Sequence, residues 1–249
     1  MPTWIVLRPA LLLSILGCSL EFGAAPPPPS VAEGAGHRIL FVGSSYLYSQ
    51  NIPGIVQAMA DSAGDTLAVQ MIAGPGAALE DHWNDGVASR ITSGRFEWVV
   101  LQQGPSSLPE SRAHLLHWTQ VLDDVIVKSG ARTALFSAWP ALENFETYPA
   151  AIESYRLAAS LVNGLFIPVA SAWLDVMRTT PSMSLYLDGL HPSPEGAYLA
   201  ALVTYSALTG RTPRGLPYCL RLRDGGVISL SSNTAEVLQA AAARAVGRP

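Results

Sequence analysis

The stretch RILFVGSSYLY, residues 38–48, decides the fold class. Its first five residues are almost continuously apolar, which is typical of a strand buried on both faces of a sheet. The apolar run stops at Gly43, and Ser44 and Ser45 follow at once. A serine on a tight turn after a buried strand can present its hydroxyl to a substrate, but Gly-Ser-Ser turns are common, and this turn alone does not indicate a function.

Four more short apolar runs follow along the chain, separated by helical segments. The predicted strands are residues 38–42, 66–72, 97–102, 133–139 and 165–170, and the predicted helices are 53–62, 79–92, 110–128, 150–162, 194–208 and 234–245. Buried strands that alternate with helices predict a parallel sheet covered on both faces. We therefore expect an α/β fold, a three-layer α/β/α sandwich with a five-stranded parallel sheet, whose functional site lies beyond the carboxyl ends of the strands.

Composition narrows the function classes. The chain has 249 residues, of which 49% are hydrophobic and 14% charged, with a formal net charge of −4. These values suit one well-buried domain, which we predict to span residues 37–249. Because the sequence contains no cluster of Lys and Arg, nucleic acid is not an expected partner. No P-loop, dinucleotide fingerprint or zinc motif occurs, so neither a cofactor nor a metal is expected.

The N-terminal residues are predicted to lie outside this domain. Residues 1–17 have the short apolar run of a signal peptide, and the sequence Ile15-Leu16-Gly17-Cys18 resembles a bacterial lipobox. Residues 18–36 then form a Pro/Ala/Gly-rich tether with four consecutive prolines. We expect an exported protein of the cell envelope, anchored to a membrane by lipid on Cys18. The alternative is an ordinary signal peptide that is cleaved later.

A second motif lies near the other end of the predicted domain. Asp188 stands three residues before His191, and Ser193-Pro194 then has the pattern of a helix start. An aspartate in this position can accept a hydrogen bond from the imidazole and fix its tautomer, which leaves the other ring nitrogen to act as a base. A helix-entry loop with a surface histidine explains the motif about equally well.

Together the two motifs resemble the SGNH (GDSL-like) serine hydrolases. The stretch LYLDGLHPSPEGAYLAALVTYSALTG (185–210) is similar to the last conserved block of that family, and residues 38–48 are similar to the first, although Ser44 stands where the family usually has Asp or Asn. The resemblance covers roughly residues 38–210. It implies the flavodoxin-like SGNH fold and a catalytic triad of Ser45, Asp188 and His191, and the lipobox-like residues 15–18 add the expectation that the chain is a bacterial lipoprotein member of the family.

The resemblance also implies an oxyanion hole. Its expected donors are the backbone N–H groups of Ser45 and Gly76 and the side chain of Gln103. Gly74 is the alternative to Gly76. Gln102 is the alternative to Gln103, because the sequence has a pair of glutamines where the family usually has an asparagine. Alternation along a strand places these two glutamines on opposite faces, so only one is expected to reach the site.

Two further residues are candidates for substrate binding, namely His82, after the loop that follows the second predicted strand, and Trp139, at the end of the fourth. The expected reaction is hydrolysis of a carboxylic ester, with a short acyl group such as acetyl on a carbohydrate or other small alcohol. The alternative is a catalytically inactive glycan-binding lipoprotein on the same fold. The sequence predicts no particular oligomeric state.

Overall fold

The structure, a computed structural model, describes residues 37–248. These residues belong to one compact unit. Its centre is a five-stranded parallel sheet with the strand order β2-β1-β3-β4-β5. The strands are β1 (His37–Ser44), β2 (Leu67–Gly74), β3 (Trp98–Leu101), β4 (Arg132–Phe136) and β5 (Leu165–Ile167). The predicted α/β fold with a five-stranded parallel sheet is confirmed.

Helices cover the sheet in two groups. The helices are α1 (Ser45–Tyr48), α2 (Ile52–Ser62), α3 (Leu79–Asn84), α4 (Val87–Ser93), α5 (Pro109–Lys128), α6 (Tyr148–Leu161), α7 (Val169–Thr179), α8 (Pro194–Thr209) and α9 (Ser232–Ala245), with a 3₁₀ helix at Leu142–Thr147. In one group α8 packs against α2, α7 and α9, and in the other α5 packs against α4 and α6. Helix α8 is buried almost all round, which explains its near-continuous apolar sequence.

Strand β1 lies between β2 and β3 in the sheet, and this position explains its composition. Its residues 39–42 are fully buried because strands flank them on both edges and helices cover both faces. Parallel strands end at the same edge of the sheet, so the segments that follow β1, β2, β3 and β4 meet there. We call this edge the carboxyl edge, and it carries Ser45.

Several elements differ from the predictions. The helix predicted over residues 79–92 is two helices, α3 and α4, because Gly86 has φ +82°, a left-handed conformation that interrupts the helix. The strand predicted over residues 165–170 ends at Ile167, and α7 begins at Val169. Residues 219–229 also form an antiparallel hairpin, β6 (Cys219–Arg221) and β7 (Val227–Ser229), that was not predicted.

The predicted signal peptide, the predicted lipidation site Cys18 and the predicted tether lie outside the described residues. Within residues 37–248, no helix is both long and apolar enough to span a bilayer. In the same range, no group of His, Cys, Asp and Glu side chains is arranged to hold a metal ion.

Candidate active site

The loop between α7 and α8 carries Asp188 and His191, and its backbone is closed by hydrogen bonds at its base. Ser193 N donates to Leu185 O at 2.8 Å, and Leu187 N donates to His191 O at 2.9 Å. Gly189 forms the tip with φ +84°, a conformation that favours glycine. The loop is therefore a tight turn that places the two side chains in a fixed relation.

Ser45, His191 and Asp188 are linked by two hydrogen bonds, both made by the His191 ring. Ser45 Oγ is 3.0 Å from His191 Nε2, and His191 Nδ1 is 2.7 Å from Asp188 Oδ2. Because an ionised carboxylate only accepts hydrogen bonds, the Nδ1 proton faces Asp188. In that tautomer Nε2 carries a lone pair toward the serine hydroxyl, which is the arrangement required to remove its proton.

Asp188 is held in its ionised form. Its Oδ1 accepts hydrogen bonds from the backbone N–H groups of Leu190, at 3.0 Å, and His191, at 2.7 Å. The hydrogen bond from the His191 ring, followed by these two backbone bonds, lowers the pKa of Asp188 from its ordinary value of 3.8 to about 2. A carboxylate with this pKa is charged at every pH at which an esterase is ordinarily assayed.

Candidate donors for an oxyanion lie at the same edge of the sheet. The register of β1 and β2 pairs Ser44 with Gly74, so the turn that contains Gly76 begins beside the residue that precedes Ser45. Ala77 N donates to Gly74 O at 3.3 Å and closes this turn, and Gly76 has φ +62°. Gly76 is exposed at the turn and stays the predicted backbone donor, with Gly74 as the alternative.

The structure distinguishes the two glutamines. Gln102 is fully buried, and both atoms of its amide bind Ser44, so the alternative that Gln102 serves the oxyanion hole is wrong. The Gln103 side chain points away from Ser44, as the alternation of side chains along a strand predicts. Its Oε1 accepts from Leu79 N at 3.2 Å, and its Nε2 donates to Ser106 Oγ at 3.0 Å. An amide nitrogen carries two hydrogens, and Ser106 accepts one of them.

Trp139 does not line a substrate pocket, contrary to the prediction. Its side chain is fully buried and stacks on Trp173 with ring centroids 3.9 Å apart. The Trp139 Nε1 donates to Leu190 O at 3.0 Å. The next residue, Pro140, accepts at its carbonyl oxygen a hydrogen bond of 2.7 Å from Tyr186 OH. Trp139 therefore supports the loop that carries His191 from beneath, and no surface of it is left to meet a substrate.

His82 is also corrected from a substrate-binding residue to a structural one. It is 4% exposed, and its Nε2 lies 2.8 Å from the carbonyl oxygen of Gly43. This hydrogen bond ties α3 to the end of β1, one residue before the Ser44-Ser45 pair. The sequence placed His82 near the site correctly, but it gave no signal that the ring would be enclosed.

A cleft of about 400 Å³ lies at the carboxyl edge, between the segments that follow β3 and β4. Gln103 forms part of its wall, together with Ser106, Ser107, Asn144 and Thr147. A larger cavity of about 510 Å³ lies at the opposite edge of the sheet, where residues 37–39 and 64–67 contribute to its lining. Ser45, Asp188 and His191 line neither space, and the smaller cleft borders the site through Gln103.

The sequence matches no family model and no curated protein. Solved structures do resemble the chain. A DUF4886 family protein from Bacteroides uniformis has a TM-score of 0.70 at 18% identity, over 85% of this chain and 95% of that one. A protein from Slackia heliotrinireducens, provisionally described as an SGNH hydrolase, has a TM-score of 0.58 at 22% identity, over 70% and 100%.

The third structure is Axe2, an acetylxylan esterase from Geobacillus stearothermophilus. It has a TM-score of 0.52 at 17% identity, over 71% of this chain and 95% of that chain. These identities are too low to transfer an activity, but the architecture is shared. The parallel sheet and its flanking helices therefore give this chain the α/β fold of the SGNH hydrolases.

Proposed function

We propose that this protein hydrolyses carboxylic esters with Ser45 as nucleophile, His191 as general base and acid, and Asp188 as the residue that orients the imidazole. The observation that carries the proposal is the 3.0 Å contact between Ser45 Oγ and His191 Nε2, with Asp188 bound to the other ring nitrogen. Nucleophile, base and orienting carboxylate in this order are the elements required for acyl transfer to a serine.

The proposed reaction has two halves. Ser45 Oγ attacks the ester carbonyl carbon while its proton passes to His191 Nε2, and Asp188 stabilises the imidazolium through Nδ1. The imidazolium then protonates the leaving alkoxide, the alcohol departs, and the acyl group remains on Ser45. A water molecule gives its proton to His191 Nε2 and attacks the acyl carbon. The bond from the acyl carbon to Ser45 Oγ then breaks, the imidazolium returns the proton to Oγ, and the carboxylic acid departs.

The negative charge that develops on the carbonyl oxygen requires hydrogen-bond donors. We assign this role to the backbone N–H groups of Ser45 and Gly76 and to the Nε2 of Gln103. The position of Gln103 supports the assignment, because its side chain bridges the loops that follow β2 and β3. Both loops border the carboxyl edge that carries Ser45, so a rigid amide between them is suited to a fixed donor.

The proposed substrate is a short acyl ester, such as an acetyl group, on a carbohydrate. The cleft of about 400 Å³ beside Gln103 is within the size range of small-molecule sites. Its wall includes the hydroxyl-bearing or amide side chains of Ser107, Asn144 and Thr147, which suit an alcohol rich in hydroxyl groups. The shared architecture with an acetylxylan esterase is consistent with this substrate class.

Gln103→Ala tests the oxyanion assignment. We expect kcat for p-nitrophenyl acetate to fall about 10²-fold with little change in KM, because the donor acts mainly on charge that develops in the transition state. Initial rates over a range of ester concentrations measure both constants. A rise in KM with unchanged kcat would instead make Gln103 a ground-state binding residue. A wild-type protein that cleaves neither this ester nor acetylated xylo-oligosaccharides would contradict the proposed function itself.

We also propose that the protein is exported and anchored to a membrane by lipid on Cys18, on the support of the lipobox-like residues 15–18. Cys18→Ser is expected to shift the protein from the membrane fraction to the soluble fraction, or to block its processing. Fractionation of cells and labelling with an alkyne-tagged fatty acid measure the two outcomes. A variant that is processed and sediments with membranes like the wild type would refute the anchor.

A further inference from the structure

One peptide group, between Gly43 and Ser44, is bound by a buried side chain at each of its polar atoms. Its carbonyl oxygen lies 2.8 Å from His82 Nε2, and its N–H donates to Gln102 Oε1 at 2.8 Å. A peptide group is planar, so fixing its N–H and its C=O fixes the orientation of the whole plane. This plane ends one residue before Ser45.

Gln102 binds Ser44 at the side chain as well as at the backbone. Its Oε1 is 3.2 Å from Ser44 Oγ, and its Nε2 is 3.1 Å from the same oxygen. Ser44 occupies the N-cap position of α1, where a serine ordinarily bonds the first-turn amides. Among the contacts within residues 37–248, its hydroxyl bonds Gln102 and makes no such cap.

Gly43 leaves the space that this contact requires. A Cβ atom added there would overlap Gln102 Oε1 and lie 2.8 Å from Leu47 Cδ1, so any side chain would displace the Gln102 amide and the Leu47 side chain. Gln102 N also donates to Val42 O at 2.9 Å, which continues the β1–β3 pairing one residue past the end of β3. The glutamine is thereby fixed at its backbone while its side chain reaches across to Ser44.

We propose that Gln102 and His82 are positioning residues that together set the orientation of the Gly43–Ser44 peptide and, through it, the direction of the Ser45 hydroxyl. We call this pair the peptide clamp. The proposal rests on the proposed function for its catalytic consequence, but not for its structural one. The contact between Ser45 and His191 is a single hydrogen bond of 3.0 Å, and we expect a rotation of the Gly43–Ser44 peptide to displace Ser45 and lengthen this bond.

Gln102→Met tests the clamp, because methionine keeps most of the buried volume and removes every hydrogen bond of the amide, those with Ser44 and the one to Gln103 O. We expect kcat for p-nitrophenyl acetate to fall about 10²-fold with KM changed less than about twofold, since misplacing a reacting group by about 1 Å has an effect of this size. Gln57→Met is the matched control. Gln57 is also a buried glutamine whose amide bonds backbone atoms, Leu67 O and Val69 N, near the opposite edge of the sheet.

The control separates positioning from stability. Both variants are expected to lower the melting temperature, but Gln57→Met keeps kcat within about twofold of the wild type. If Gln102→Met loses stability like the control and retains its kcat, the clamp has only a structural role and the proposal is overturned. Should Gln102→Met fail to fold, a comparison at His82 gives the same test.

At His82, glutamine supplies an amide N–H in place of the ring N–H, whereas leucine supplies no donor. We expect kcat to fall about 10²-fold in His82→Leu and only about tenfold in His82→Gln. Equal activity in the two variants would overturn the role of His82. A crystal structure of Gln102→Met gives a readout that needs no activity, because the distance from Ser45 Oγ to His191 Nε2 is expected to exceed hydrogen-bonding range.

That crystal structure also separates the two proposals. If the wild type cleaves no ester but the variant shows the displaced serine, the proposed function fails and the clamp stands. If the wild type is an esterase and the variant keeps the Ser45–His191 contact, the clamp fails and the proposed function stands.

Discussion

Exchanging Ser45 for alanine is expected to lower kcat/KM for an acetyl ester by about 10⁴- to 10⁶-fold. The Ser45 hydroxyl is the group that forms the acyl bond in the proposed reaction, and its removal leaves only substrate binding and the oxyanion donors to accelerate hydrolysis. Initial rates on p-nitrophenyl acetate, measured at matched concentrations of purified wild type and variant, determine the ratio. Fluorophosphonate labelling of the wild type, and not of the variant, locates the nucleophile independently.

Ser49→Ala is the matched control for this experiment. Ser49 is an exposed serine at the C-cap of the same short helix, so its loss is expected to change the rate less than about twofold. Ser45→Ala itself is expected to cost about 1 kcal/mol of stability or less, because the side chain is only partly buried. A Ser45→Ala variant with the wild-type rate would exclude Ser45 as nucleophile, and Ser44 would be the next residue to replace.

The sheet could be predicted from the sequence because its strands are buried on both faces. Such strands, like residues 39–42, must be apolar throughout, and this pattern is readable without knowing the partners. The break between α3 and α4 was missed, because it depends on a left-handed Gly86 inside a segment whose apolar spacing is otherwise helical. The strand predicted at β5 is too long for a related reason, because the apolar residues 169–170 suit a strand and a buried helix equally.

The sequence predicts the triad residues of the site better than the roles of the residues around them. Ser45, Asp188 and His191 belong to two local patterns, and a fold that joins strand ends at one edge brings such patterns together. The roles of Trp139, His82 and Gln102 depend on tertiary contacts. Each side chain is both apolar enough to bury and polar enough to bind a substrate, so the sequence alone does not distinguish the two outcomes. In the structure all three side chains are buried, so they support the site and do not bind a substrate.

His191→Ala is expected to lower kcat/KM almost as far as Ser45→Ala, because the hydroxyl then has no base within reach. The double variant is expected to be no slower than either single variant, since residues that act as one unit are not additive. Asp188→Asn is expected to be milder, with a loss of about 10²- to 10⁴-fold, because it disturbs the tautomer and charge of His191 without removing the base. Initial rates on one ester under identical conditions rank the four variants against the wild type. An Asp188→Asn variant as inactive as Ser45→Ala would contradict this division of roles.

The ionisation of Asp188 gives this prediction a readout that does not depend on activity. Its pKa of about 2 is lowered first by the hydrogen bond from the His191 ring and then by the two backbone N–H groups. Because the folded-state pKa lies below the ordinary 3.8, the contribution of Asp188 to stability is complete above pH 3.8 and is lost as the pH falls through about 2.

In His191→Ala the hydrogen bond from the ring disappears while the backbone bonds remain, so the pKa of Asp188 is expected to rise to a value between about 2 and 3.8. Titration of the Asp188 carboxyl carbon by NMR in both proteins measures this pKa. An Asp188 pKa that is the same in the variant and the wild type would mean that the His191 ring does not bind this carboxylate in solution, and the orienting role would have to be abandoned.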